Sequence, residues 1–432
     1  MKTKENSLED RISKLPDEIL INILSRMTIK EAAITSLLSS RWRYLWTFFN
    51  GRLNFDDLLD LSDLKLSIDS CRDYDYNVYL RRKRLAIWVD QILGTLRTQT
   101  VEELKIRLGE IAICDVDNWF KFAIEKRIKR LELDFSCWVT ICEPYPFPSK
   151  VDISSSFRSL TSLCLKNVDV TNEVVENLLR YCQLLEVLSL QVTKRVTSIK
   201  VSGPSLQLKY LELKFLPNLK DLEIDSANLI SFKYAGAEFN ANFRHVPSLV
   251  EMFIEGYYCE YFVHNLYKLT SVAAQLRTLK LLLMTATLPE AVLCSIPELP
   301  NLKHLELSIL ICENCFLTCA SFLKASPSLH KLTVKLLYIP SVYVQRIMKH
   351  PHLSLRVLEL TGFQWLEADI EFLTDLVENA VTLEKIIIDI CRPHYLGTSR
   401  ELLYRNTEYY QSARKRAVEF VAKFPRLESV IL

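Results

Sequence analysis

The sequence predicts an α/β protein: a short three-helix unit followed by an irregular repeat solenoid with a parallel sheet on its concave face. Apolar residues at helical spacing crowd the first fifty positions. A short apolar pattern then recurs through the rest of the chain. Only 8 of the 432 residues are glycine, and none are closely spaced, which excludes the glycine-rich phosphate loops of common nucleotide-binding folds.

Residues 8–50 are predicted to form three short helices. Pro16 has the position that proline favours at the first turn of a helix. Thr28 and Glu31 have the spacing of a capping box that opens a second helix. A third helix is expected from Arg41 to Trp46. A unit this short cannot bury all its apolar residues alone, so the surplus must be covered by the rest of the chain or by a partner.

This N-terminal unit resembles an F-box in the form common in plants: Asp10 to Met27 is similar to its start and Thr35 to Trp46 to its end. Ser40 departs from the family pattern, where lysine is common. The resemblance implies docking to a Skp-type adaptor and, through it, to cullin and RING subunits. Carried over by position, the expected adaptor-binding residues are Leu15, Pro16, Ile19, Leu20, Leu24, Leu38 and Trp42. The alternative is a three-helix core that only packs on the following domain.

Residues 51–369 carry the pattern L-x-x-L-x-L, with other apolar residues at some positions, which indicates a leucine-rich-repeat solenoid. The most regular part steps by about 27 residues; its units begin at Leu249, Leu276, Leu302, Leu329, Leu355 and Leu383. Helical spacing predicts return helices at Asn172 to Cys182, Asp369 to Asn379 and Arg414 to Lys423. Between Leu208 and Leu229 the units are too short for a helix, so bare strand–turn–strand packing is predicted.

The chain also resembles a plant group in which an F-box precedes leucine-rich repeats and an FBD-type C-terminal region. The matching segments, which cover nearly the whole chain in order, are Leu53 to Asp56, Arg130 to Phe135, Leu219 to Asp225 and Phe424 to Leu432. The resemblance implies that residues 370–432 are the FBD-like part. Residues 391–411 are polar and rich in tyrosine, and we interpret them as a long loop or irregular insertion before a last helix and strand.

Catalytic and metal-binding patterns are scarce. No H-E-x-x-H or G-x-S-x-G occurs, and the one cysteine cluster, which begins at Cys312 and Cys315, lacks a clear fourth zinc ligand. We therefore expect no cofactor and mostly reduced, buried thiols. Lys+Arg is 54 and Asp+Glu is 52, which argues against binding of nucleic acid or a membrane surface. The N-terminus lacks an apolar signal-peptide core, so we expect a cytoplasmic and/or nuclear location.

The solvent face of the predicted sheet is the expected recognition surface, because concave repeat surfaces of mixed charge suit protein binding. Residues at alternate strand positions, Asp221 and Glu223 among them, are expected to share this face. The candidate target-binding residues are Tyr210, Glu212, Phe253, Lys280 and Glu306.

These observations lead to one main hypothesis and three alternatives. The main hypothesis is a non-catalytic substrate-recognition subunit of a Skp–cullin–F-box (SCF) type E3 ubiquitin ligase. The first alternative is an F-box scaffold that binds the adaptor without driving degradation. The second is a small-ligand co-receptor, and the third is an enzyme that uses Cys312 and Cys315 with a metal.

Overall fold

The computed structural model places two compact units along the chain. Unit 1 comprises Met1–Val196 with Gly203–Leu208, and unit 2 comprises Thr197–Ser202 with Lys209–Leu432. The residues that the structure describes are 12, 14–56, 71–108, 116–136, 143–149, 151–203, 205–284, 288–309, 315–337, 351–363, 365, 367–398 and 400–432. At a few helical positions, including residues 71–81, only the backbone is described.

The N-terminal helices of unit 1 form as predicted. They are α1 (Asp17–Leu24), α2 (Ile29–Ile34) and α3 (Ser40–Leu45), with 3-10 turns at Thr35–Leu37 and Trp46–Phe48. The predicted capping box is present: Glu31 N donates to Thr28 Oγ1 at 3.2 Å, and Thr28 N donates to Glu31 Oε2 at 2.9 Å. These bonds satisfy two amides that a helix start otherwise leaves without partners.

The repeats of unit 1 build a parallel sheet. The strands are β1 (Arg52–Asn54), β2 (Glu103–Arg107), β3 (Arg130–Asp134), β4 (Tyr145–Pro146), β5 (Ser162–Lys166), β6 (Val168–Asp169) and β7 (Val187–Gln191). The helices are α4 (Cys71–Thr95), α5 (Val116–Glu125), α6 (Ile153–Ser156) and α7 (Asn172–Tyr181). β1, β2, β3, β5 and β7 pair in that order, and β4 pairs with β6.

Unit 2 repeats the same plan. Its strands are β8 (Ser198–Ser202), β9 (Tyr210–Lys214), β10 (Asp221–Asp225), β11 (Ser231–Ala235), β12 (Asn240–Phe243), β13 (Glu251–Glu255), β14 (Thr278–Leu283), β15 (His304–Ile309), β16 (Lys331–Leu336), β17 (Val357–Thr361), β18 (Lys385–Asp389) and β19 (Glu428–Ile431). Its helices are α8 (Tyr258–Asn265), α9 (Thr270–Gln275), α10 (Glu290–Cys294), α11 (Cys315–Ala325), α12 (Glu367–Asn379), α13 (Arg400–Arg405) and α14 (Glu408–Val421). The main sheet pairs β9, β11 and β13 through β19 in parallel.

The short repeats of unit 2 replace return helices with strands. β8, β10 and β12 form a second parallel sheet, and along the chain they alternate with β9 and β11 of the main sheet. The prediction of bare strand–turn–strand packing is therefore confirmed. The expectation that Asp221 and Glu223 share a face with Tyr210 is wrong, because β10 belongs to the second sheet. A leucine pattern shows that a strand is present but not which of two sheets it joins.

Strand alternation separates core from solvent. In β15, Leu305 and Leu307 are buried, whereas His304 and Glu306 face outward. Burying one leucine contributes about 1.5–3 kcal/mol, so the repeated leucines are the main stabilising term. In the described part of the chain, six strands are followed directly by a residue with positive φ, which turns the chain out of the sheet. These residues are Asn167, Val192, Gly203, Phe215, Gly256 and Gly362.

The C-terminal segment is more helical than predicted. α13 and the start of α14 lie inside residues 391–411, so the interpretation as a long loop or irregular insertion is only partly correct. Thr407 caps α14 by accepting a hydrogen bond from Tyr410 N at 3.2 Å. Tyr410 is buried, and its hydroxyl donates to the carbonyl of Leu432 at 2.7 Å. Tyr410 is the first buried residue of α14. Because its neighbours in the sequence are polar, the helical spacing of apolar residues is not evident at the start of this helix.

The junction between the N-terminal helices and the first repeat is tightly packed at Gly51. Asn50 N donates to Ser25 Oγ at 3.1 Å, and Glu102 N donates to the carbonyl of Asn50 at 3.0 Å. A Cβ on Gly51 would lie 2.0 Å from the carbonyl oxygen of Ser25. The two nearest atoms belong to the backbone of Ser25, so no flexible side-chain end could move away to relieve the clash.

We expect Gly51→Ala to lower the free energy of unfolding by about 1–3 kcal/mol, because overpacking forces the backbone to shift. Urea unfolding of the full chain measures it. The matched control is Gly94→Ala in α4, where a Cβ meets nothing within 4 Å. That substitution should stabilise the chain by roughly 0.5–1 kcal/mol, because alanine is the better helix former. Equal stability of the two variants would contradict the close approach at Gly51.

Candidate functional site

Arg41 links the last helix of the N-terminal unit to the first. Its Nε donates to Asp17 Oδ1 at 2.9 Å, and its Nη2 donates to the carbonyl of Leu15 at 2.7 Å. Both contacts link α3 to the start of α1, so they fix the direction in which Leu15 and Pro16 enter the helix. These contacts add to the buried core of the unit, which includes Leu20, Leu24 and Leu45.

The predicted adaptor-binding residues fall into two groups. Leu20, Leu24 and Trp42 are buried in the core of the unit, with exposures of 0, 0 and 7%. The others remain accessible: Leu15 is half-buried, and Pro16, Ile19 and Leu38 are exposed. The structure thus assigns the buried group to support of the unit itself. Adaptor contact stays a prediction, and it applies directly to the accessible group.

Apolar side chains cover much of the exposed surface of this unit. Ile19 and Ile23 lie one turn apart on α1 and are 46% and 41% exposed. After α2, Leu37 and Leu38 are 81% and 67% exposed, and Ile34 is 55% exposed. Sequence reasoning named Ile19 and Leu38 but missed the other three. Helical spacing from Ile19 to Ile23, and from Ile34 to Leu37 and Leu38, was the signal that could have found them.

The second candidate surface is the open face of the main sheet in unit 2, meaning the outward side chains of β9, β11 and β13 to β19. Four of the predicted target-binding residues lie in one row across the strands, because their backbones are register partners. The row runs Glu212, Lys233, Phe253, Lys280, Glu306. Tyr210 lies on the same face two residues before Glu212 and is 44% exposed. The structure therefore brings all five candidates onto one surface; target binding remains a prediction.

Phe253 is the centre of this row. The ammonium groups of Lys233 and Lys280 lie 4.9 and 5.2 Å from its ring centroid. Such cation–π contacts contribute about 0.5–1 kcal/mol each at exposed sites. Lys280 Nζ also lies 2.9 Å from Glu306 Oε2. The ring is thus held in place between two charges, and Lys233, which sequence reasoning did not select, is part of the arrangement.

Glu306 accepts hydrogen bonds from lysines on two neighbouring strands, Lys280 on β14 and Lys335 on β16. Burial alone would raise the pKa of Glu306, but the hydrogen bonds and charges of Lys335 and Lys280 outweigh it and hold the pKa below its usual value. The carboxylate is therefore ionised at neutral pH and links three strands.

The sheet of unit 1 carries a similar ionic network. Asp134 is buried, with Arg107 Nε at 3.1 Å and Lys166 Nζ at 3.3 Å from its Oδ2. Burial favours a higher pKa for Asp134, but hydrogen bonds from Ser136 and the charge of Lys166 lower the pKa overall. Charges on this face are mostly compensated by each other, so the face is polar with little net sign.

Neither a metal-binding cluster nor a membrane-spanning helix is found among the described residues. Across those residues, no group of three or more His, Cys, Asp and Glu side chains could hold a metal ion. Cys312 lies outside the described residues, and for Cys315 only the backbone is described. Of the helices in the described part of the chain, none is both long and apolar enough to cross a membrane.

Comparison with protein families identifies both parts of the chain. A model described as the LRR domain of At1g61320/AtMIF1 matches residues 145–423, and an F-box domain model matches residues 12–54. The first match covers more than half of the chain, so the chain belongs to this leucine-rich-repeat family. An F-box precedes the repeats. The resemblance and the fold class predicted from the sequence are thereby confirmed.

Similar curated proteins come from Arabidopsis thaliana. The FBD-associated F-box protein At5g50270 is 25% identical over 431 residues, which cover 88% of this chain and 96% of that protein. The F-box/FBD/LRR-repeat protein At5g56420 is 28% identical over 46% of this chain and 48% of that protein. F-box protein At3g59000 is 31% identical over 52% of this chain and 48% of that protein. The chain thus matches about half the length of the last two.

Among solved structures, one chain of a TLR13–ssRNA13 complex matches with a TM-score of 0.27 and 13% identity. The match covers 72% of this chain and 59% of that one. A likeness of this size supports no conclusion about function.

We expect Glu306→Gln to destabilise the chain by about 1 kcal/mol at pH 7, since a hydrogen-bonded, partly shielded carboxylate is lost. A carboxyl whose folded pKa is depressed contributes stability above its unfolded pKa, about 4.3, and loses it as pH falls through the folded value. The difference from the wild-type chain should therefore shrink below about pH 4. Urea unfolding at pH 3.5, 5 and 7 measures it.

The matched control is Glu384→Gln, which removes the partner of Arg356 from a pair whose side chains are 57% and 63% exposed. Its effect should stay within about 0.5 kcal/mol at every pH, because exposed pairs contribute little. If Glu306→Gln also proved neutral at pH 7, the shared carboxylate would have no stabilising role.

Proposed function

We propose that this chain is the substrate-recognition subunit of an SCF-type E3 ubiquitin ligase. The F-box would dock a Skp-type adaptor, and cullin and RING subunits would join through that adaptor. One observation carries the proposal: several isoleucine and leucine side chains of the F-box are exposed, although its helices already share a buried core that includes Leu20, Leu24 and Leu45. F-box domains generally bind Skp-type adaptors, so this surface has an occupant of known kind.

The energetics favour a partner over solvent for this surface. Full burial of an isoleucine or leucine contributes about 1.5–3 kcal/mol. Ile19, Ile23, Ile34, Leu37 and Leu38 together offer several times that amount, which exceeds the lower estimates of the entropy lost on association. Exposed apolar clusters of this kind mark interaction sites in soluble proteins.

The repeats would hold the target protein by the open face of unit 2. Phe253, bracketed by two lysines, and Tyr210 are aromatic anchors of the kind that dominate interface energetics. The chain itself would supply no catalytic group. Its contribution would be to hold a target lysine near a ubiquitin-charged enzyme, which converts a bimolecular encounter into a local one. The proposed location of the protein is cytoplasmic and/or nuclear, as expected from the sequence.

We expect the double variant Leu37→Glu/Leu38→Glu to weaken binding of a purified Skp-type adaptor at least about 30-fold, because burying unpaired carboxylates costs several kcal/mol. Isothermal titration calorimetry with the full chain measures the affinity. Thermal unfolding should be unchanged, since both side chains are exposed.

The control for charge is Leu184→Glu, a leucine that is 53% exposed outside the box. It should bind the adaptor like the wild-type chain. Leu20→Glu serves as a different control: Leu20 is 0% exposed, so this variant should unfold the box itself. Adaptor binding at wild-type strength by Leu37→Glu/Leu38→Glu would exclude this surface as the docking site.

We expect Phe253→Ala to reduce target recovery roughly 5- to 100-fold, as loss of an interface anchor does, while adaptor affinity stays constant. The full chain is used as bait under proteasome inhibition, and co-purified proteins are quantified and then tested for ubiquitin transfer in the reconstituted ligase. Tyr181→Ala on α7, 39% exposed, is the matched aromatic control. Retained recovery with Phe253→Ala would contradict recognition by this face. Recovered proteins that accept no ubiquitin would favour the scaffold alternative.

A further inference from the structure

One register position of unit 2 collects positive charge. The residue just before each of β14, β15, β16 and β17 is basic; we call these residues the basic strip. They are Arg277, Lys303, His330 and Arg356. Each occupies the same place in its repeat, so the strip crosses four neighbouring strands at their N-terminal ends.

Backbone hydrogen bonds show that the four residues are direct neighbours. The carbonyl of Arg277 accepts from Lys303 N at 2.9 Å, and the carbonyl of Lys303 accepts from His330 N at 2.9 Å. The carbonyl of His330 accepts in turn from Arg356 N at 2.9 Å. Adjacent strands lie about 4.8 Å apart, so the strip is about 15 Å long.

The strip differs from the rest of the sheet because much of its charge is uncompensated. Most lysines on the open face have carboxylate partners, as Lys280 has in Glu306 and Lys331 has in Glu359; Lys233 instead contacts the ring of Phe253. Within the described part of unit 2, neither Arg277 nor Lys303 forms an ion pair. Arg277 is exposed and Lys303 is half-buried. Like charges aligned across strands destabilise a sheet. The strip therefore lowers the stability of unit 2, and no ion pair of Arg277 or Lys303 among the described residues offsets this loss.

His330 responds to this concentration of charge. Its burial, with the charges of Lys303, Arg356 and His304, lowers the pKa of its imidazole below the usual value. An anion bound on the strip would offset the charges of Lys303 and Arg356 and would therefore raise the pKa of His330. The pKa of His330 thus reports whether an anion is bound on the strip.

The ends of the strip define the length of a matching partner. Val250 precedes Arg277 in the same register, and Glu384 follows Arg356 and pairs with it at 3.1 Å. Glu251 and Glu384 therefore place negative charge beyond both ends. A long polyanion such as a nucleic acid would meet these carboxylates, whereas a short acidic segment would not. An extended peptide of about five residues spans the same 15 Å.

We propose that the basic strip binds a short, extended, acidic segment of the target protein, with Arg277 and Lys303 as its main anchors. This inference rests on the proposed function, since it specifies the chemistry of the target. It predicts salt-sensitive binding, because exposed charges are screened within about 8 Å at physiological ionic strength.

The test uses the full chain and a fluorescein-labelled five-residue peptide with glutamate at its first, third and fifth positions, which matches the length of the strip. Fluorescence anisotropy at about 50 mM salt should show binding that weakens at about 300 mM. Arg277→Glu/Lys303→Glu should weaken binding at least about tenfold, and Arg277→Gln/Lys303→Gln should weaken it less. The matched control is Arg414→Glu/Lys415→Glu on α14, which changes the net charge equally and should bind like the wild-type chain.

A second readout is the NMR titration of His330, whose pKa should rise when the peptide is bound and stay unchanged with an uncharged peptide. Absence of peptide binding at low salt, or equal binding by Arg277→Glu/Lys303→Glu, would overturn the inference. Tighter binding of single-stranded oligo-dT than of the peptide would overturn it too. Adaptor affinity of the strip variants is measured in parallel; it should be unchanged, so failure here is distinguishable from failure of the adaptor model.

Discussion

Parallel stacking of repeats is the constraint on which both units depend. A strand such as β15 can bury Leu305 and Leu307 only between its neighbours, and its backbone groups find partners only on β14 and β16. No repeat has a core of its own, so each one stabilises the next. The outward positions are released from packing, so they carry polar and charged side chains, as His304 and Glu306 do in β15.

The F-box follows the opposite rule. Its helices close a local core around Leu20, Leu24 and Leu45, and Arg41 ties the last helix to the first. Ile19, Ile23, Ile34, Leu37 and Leu38 lie outside that core and stay 41–81% exposed. The N-terminal unit therefore exposes apolar surface, whereas the stacked sheet exposes polar surface. Under the proposed function, the first would supply hydrophobic affinity and the second specificity through charge and shape.

Much of this architecture could be predicted from the sequence, because leucine spacing and capping signals are local. The capping box at Thr28 and the missing helices after Leu208 both follow from such local signals. The remaining features are decided by tertiary packing. The split of the short strands between two sheets, which removed Asp221 from the predicted face, has no local signal. Helical spacing likewise marks Leu20 and Ile19 as apolar, but only the assembled core shows that one is buried and the other exposed.

The shared carboxylate of Glu306 has a consequence for how such proteins diverge. Glu306 pairs with lysines on both strands that flank β15, so substitution of Glu306 alone would leave both lysines without this carboxylate. Sign changes preserve the stability of the stack only when Glu306, Lys280 and Lys335 change together, and such changes alter the electrostatic pattern of the open face. Coordinated substitutions along one row can therefore change the charges displayed by the open face while the leucine framework stays the same.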